Sequence, residues 1–135
     1  MADKPFVTDT SALMAFIEKE DGAERVKYVL SHCSIIVPWI VVLELVYISQ
    51  RELGEEEALV RYALLRQLNI KIIWDANETI LVTAARFKAS NKISLADSII
   101  AAIASLNNAT LLHKDPEYEA LIGQVDLEAL PYKSN

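Results

Sequence analysis

Short apolar runs rich in β-branched residues alternate with longer segments of helical spacing, and that alternation restricts the fold more than any other feature. "KPFVTD" (4–9), "SIIVP" (34–38), "IKIIW" (70–74) and "ATLLH" (109–113) read as strands, with a last weak strand expected in "VDLEALPY". Between them lie helical patterns over 10–20, 23–32, 39–52, 55–69, 75–91 and 94–108, and a short helix in "DPEYEALIG" with Pro116 at its first position. The expected N-caps are Thr10 or Ser11, Asp75 paired with Glu78, and Ser94. Gly22 and Gly54 end helices, and 55–69 is expected to be amphipathic. Strands alternating with helices predict an α/β fold: a mostly parallel sheet with helices on both faces. Ligands of such sheets sit beyond the carboxyl ends of the strands.

Composition narrows the class. The 135 residues predict a single domain over 1–135, and 53% hydrophobic against 24% charged residues fits a globular chain. Cys33 is the sole cysteine, which excludes an intrachain disulfide and a multi-cysteine zinc site; it is expected to be packing. The opening "MADKPFVTD" lacks a signal-peptide pattern, and the longest apolar run, "IIVPWIVVL", is too short to span a membrane. A cytoplasmic protein is therefore expected. The net charge of −6 excludes a strongly basic coater of nucleic acid, although a site built from carboxylates lowers net charge by itself.

Four acids stand out. Glu44 lies within "WIVVLELVYIS", where Ile40, Val41, Tyr47 and Ile48 make its helix turn apolar; a carboxylate facing a charged ligand explains it better than a core pair. Asp9 ends the first strand, and Thr10 and Ser11 are available to cap in its place. Asp97 completes "SLAD", a capping-box pattern that on its own favours a structural reading. Asp115 fits a cap and a site equally well. Taken as a set, these acids can converge at one mouth, where mutual repulsion is relieved by a hard divalent cation, Mg2+ or Mn2+. Hydrolysis of a phosphodiester is the chemistry that such a site implies.

At these residues the sequence resembles the PIN-domain family, especially its VapC-type toxins. The motifs are "FVTDTSAL", "VVLELVY", "KISLADSIIAAIA" and "TLLHKDPEY", in order along nearly the whole chain, with Tyr118 where the family usually has Phe and His113 where it commonly has Thr or Ser. The resemblance implies a PIN-like α/β/α sandwich. It also implies Asp9, Glu44, Asp97 and Asp115 as metal-binding and catalytic acids, Ser11 and Glu117 as auxiliaries, and Mg2+ or Mn2+ as cofactor. The implied activity is a ribonuclease that pairs into a homodimer and is silenced by a cognate antitoxin.

On that reading Asp9, Asp97 and Asp115 hold the metal, Glu44 orients a water, and Lys88, Lys92 and Lys114 are candidates to contact single-stranded RNA. Lys88 and Lys92, with Arg86, equally fit a solvated helix end. His113 is expected near the site and His32 at the surface. Apolar residues in 39–52 and 55–69 suggest a partner face. Alternatives are an RNA-processing nuclease of the same family without an antitoxin, and a non-catalytic binding module of the same fold. A phosphatase of the haloacid-dehalogenase type is disfavoured by Ser11, which stands where a second Asp is needed. A receiver domain is disfavoured by the middle strands.

Overall fold

The computed structural model describes residues 3–134. Five parallel strands form one sheet in the order β3-β2-β1-β4-β5: β1 (Phe6–Thr8), β2 (Ile35–Pro38), β3 (Lys71–Ile73), β4 (Thr110–His113) and β5 (Leu127–Ala129). Helix pairs connect the strands: α1 (Thr10–Ile17) with α2 (Ala23–His32), α3 (Trp39–Leu53) with α4 (Glu55–Gln67), and α5 (Glu78–Ser90) with α6 (Leu95–Leu106). A 3-10 helix, Pro116–Leu121, joins β4 to β5. The expected α/β/α sandwich with a parallel sheet is what forms. Among the described residues, no helix is long and apolar enough to cross a membrane.

The core follows from the strands. All four residues of β2 are buried, as are Val7 of β1 and Leu111 and Leu112 of β4. Each such side chain contributes about 1.5–3 kcal/mol by leaving water. On α6, Ile100, Ala101, Ala102, Ile103 and Ala104 are buried; this helix packs on β1, β4 and α3, and its alanines allow close approach. Cys33 is partly buried against the core, as expected of a packing residue.

Several local expectations are corrected. Asp9 caps α1, accepting from Ala12 N at 2.9 Å, because its backbone is extended while Thr10 and Ser11 already lie in the helix. Asn77, not Asp75, caps α5, accepting from Ile80 N. Helix α4 does not present one apolar face: it buries Ala58 and Leu65 but leaves Leu59, Val60 and Leu64 exposed. Gly54 ends α3 as expected, and its φ of +93° lets α4 start at the next residue.

Chain order reverses at β1. The path from β1 goes to β2 on one side, and β4 later lands on the other. A crevice therefore opens at the carboxyl ends of β1 and β4. Pairing of Thr8 with Leu112 sets Asp9 beside residues 113–115.

Candidate metal centre

Asp9 leaves β1 with its N–H donated to Leu112 O at 3.2 Å, so β1 and β4 are joined at the point where the acids begin. The side chain is 3% exposed. Ser11 Oγ donates to Asp9 at 2.8 and 2.7 Å to its two carboxylate oxygens and accepts Lys114 N at 2.8 Å. One hydroxyl thus bridges the two strand ends, where sequence had given Ser11 an auxiliary place.

Asp97, Asp115 and Glu117 form the tightest acidic group: each offers an oxygen, and the three oxygens lie within 4.8 Å of one another. Asp115 Oδ1 accepts from Glu117 N at 2.9 Å and caps the 3-10 helix. Ser94 caps α6 as expected, its Oγ accepting from Asp97 N at 3.1 Å. The return half of a capping box is missing, because Ser94 N donates to Glu117 Oε1 and not to Asp97. The Asp97 carboxylate is left to face Asp115 and Glu117, and its Oδ1 accepts from Tyr118 OH at 2.9 Å.

Glu44 lies outside this trio. It is half-buried, and Thr10 Oγ1 donates to its Oε1 at 2.6 Å, which tethers it to the residue after Asp9. The apolar turn around it is only partly core. Leu43 is 51% and Tyr47 45% exposed, while Val41, Val42, Leu45 and Ser49 face inward. Sequence missed Thr10 except as a cap; a hydroxyl directly after a strand-end Asp was the available signal.

Burial is the chief electrostatic fact. It raises Asp9 from 3.8 to about 7, opposed by the Ala12 and Ser11 hydrogen bonds and reinforced by the charges of Asp97 and Asp115. Burial also raises Asp97 to about 6; the Tyr118 bond opposes this, and Asp115 and Glu117 add to it. Burial and the adjacent acids push the Tyr118 phenol well up, so it stays a donor. A divalent cation would favour the ionised forms of Asp9 and Asp97, and an all-carboxylate set suits a hard cation.

The basic candidates separate. Lys114 is 8% exposed, and its Nζ donates to Asp21 O at 2.8 Å and lies 3.7 Å from Glu20. Lys88 donates to Ile93 O at 2.7 Å and so braces the loop leading into α6. Lys92 in that loop is exposed. His113 lies beside the site, buried, with Nδ1 accepting Asp115 N at 3.2 Å; burial holds its pKa below the ordinary value. His32 is exposed at the end of α2, as expected.

Several solved structures share this architecture. VapBC2 from Rickettsia felis, bound to a promoter DNA fragment, matches with a TM-score of 0.75 at 18% identity, covering 93% of this chain and 98% of that one. VapBC-1 from nontypeable Haemophilus influenzae gives 0.72 at 20% identity, with 92% and 96% covered. VapC20 from Mycobacterium tuberculosis, a Sarcin-Ricin loop cleaving toxin, gives 0.72 at 14% identity, with 93% and 99% covered. No curated protein matches the chain. These likenesses speak for the fold. The PIN domain model itself matches residues 6–122, a span that runs from β1 with its terminal Asp9 through all three other acids of the crevice, and the chain therefore belongs to the PIN domain family.

Proposed function

We propose that the chain is a Mg2+- or Mn2+-dependent endoribonuclease acting on single-stranded RNA, and the toxin of a toxin–antitoxin pair. The observation that carries the reading is the meeting of Asp97, Asp115 and Glu117 within 4.8 Å, beside the buried Asp9, at the carboxyl ends of β1 and β4. These four acids would hold the cation. When bound, it supplies charge neutralisation at a phosphoryl group and a more acidic water.

The protein's own part is orientation. Ser11 fixes the Asp9 carboxylate against the β4 end, and Thr10 fixes Glu44 at the mouth, where it can accept a hydrogen bond from the attacking water. Lys92, exposed in the loop before α6, would meet the RNA backbone. His113 Nδ1 is engaged by the Asp115 N–H and is not free to act as a base.

Two protein partners complete the proposal. Exposed Leu43, Tyr47, Leu59 and Val60 on α3 and α4 supply the face for a second copy, and mass in solution tests this: a strict monomer at high concentration counts against it. An antitoxin fits a groove of about 940 Å3 between α1, α2 and α4, lined by Phe16, Ile17, Leu64 and Leu68 with Lys27 and Arg61 among its charged residues. The complexes solved for relatives, among them a toxin-antitoxin complex from Klebsiella pneumoniae, support such a partner.

Incubation with defined RNAs and Mg2+ or Mn2+ tests the activity. The parent should cleave, Asp9→Asn should not, and Glu44→Gln should be slowed by at least about tenfold. Undiminished cleavage by Asp9→Asn contradicts the mechanism.

A further inference from the structure

We infer that Tyr118 is a positioning residue for the metal site, through its hydrogen bond to Asp97; this rests on the reading of the acids as cation ligands. The phenol is 0% exposed and packs within the hydrophobic core, its ring centroid 4.9 Å from that of His113. Its hydroxyl donates to Asp97 Oδ1 at 2.9 Å. A buried tyrosine hydroxyl needs a partner, and here that partner is one of the three converging carboxylates.

Asp97 needs such a fixed donor. The carboxylate torsion of an aspartate is broad and only roughly two-fold, so the backbone alone does not set where its oxygens point. The capping-box bond that normally restrains an acid at this helical position is absent, because Glu117 takes the Ser94 N–H. Its hydrogen bond to Tyr118 therefore sets the carboxylate against Asp115 and Glu117. Phe at position 118 fills the same core space and supplies no donor. The hydroxyl thus tunes the site through Asp97 and is not itself one of the acids that would hold the metal.

Calorimetric titration of Mn2+ into the full chain, parent against Tyr118→Phe, tests this, together with thermal melting of both proteins without metal. The variant should melt as a folded protein while its Mn2+ dissociation constant rises about tenfold. The resonance spectrum of bound Mn2+ should also differ from the parent's. Ile103→Val removes a methylene from the same core and should leave the Mn2+ dissociation constant at the parental value. Parental Mn2+ affinity in Tyr118→Phe overturns the inference. A weakening of equal size in Ile103→Val overturns it too, since the effect is then a matter of stability. Lack of Mn2+ binding by the parent is a different result: it overturns the metal reading itself, and this inference with it.

Discussion

Glu117 accepts the backbone N–H of Ser94, taking the hydrogen bond that a capping box would have given to Asp97. One carboxylate therefore anchors the start of α6 and also belongs to the acidic trio.

The two roles are separable. Glu117→Gln retains an acceptor for Ser94 N–H and removes the charge; it should fold with near-parental stability and bind Mn2+ at least about tenfold more weakly. Glu117→Ala loses both, and its stability should fall by about 1 kcal/mol as well. Denaturant titration and calorimetry read the two effects. Parental Mn2+ affinity in Glu117→Gln would remove this residue from the metal site.

The buried acids make the metal-free fold sensitive to pH. Asp9 is raised from 3.8 to about 7 and Asp97 to about 6, so across that window the folded state binds more protons than the unfolded chain. Their contribution to stability is intact below about pH 4 and is lost as pH rises to about 7. For Asp9 the cost is on the order of 4 kcal/mol at full ionisation. Asp9→Asn retains an acceptor for Ala12 N–H without the charge. Without metal, its melting temperature should exceed the parent's at pH 7.5 and approach it at pH 4.5. A difference that does not change between those two pH values contradicts the assignment.

Lys114 and Lys92 should part company. Lys114→Met breaks a buried ammonium from Asp21 O and Glu20, and should cost about 1–3 kcal/mol of stability. Lys92→Ala should leave stability within about 0.5 kcal/mol and weaken RNA binding, with a shallower salt dependence. Denaturant melts and binding at several salt concentrations distinguish them. Wild-type RNA affinity in Lys92→Ala takes that residue off the interface.

The sheet was legible because β2 and β4 are short, branched and bounded, and burial on both faces demands just such runs. Cap identity at α1 was not, since Asp9, Thr10 and Ser11 offer similar chemistry in a row and only the backbone angle at Asp9 decides among them. The place of Lys114 was hidden for another reason: its partners lie in the α1–α2 turn, a tertiary contact that no local pattern reports. Asp9, Asp97 and Asp115 come near one another because strand ends and helix starts meet at the crevice. Glu44 and Glu117 were less legible. An apolar helix turn reads as buried, yet that of Glu44 opens to solvent at Leu43 and Tyr47, whereas the role of Glu117 depends on a backbone N–H from another helix.

Crystals of the full chain soaked with Mn2+, with anomalous diffraction recorded near the manganese edge, test the central claim most directly. The account predicts a peak held among Asp9, Asp97, Asp115 and Glu117. No peak there at a Mn2+ concentration that saturates the protein in solution, or a peak only elsewhere on the molecule, contradicts it.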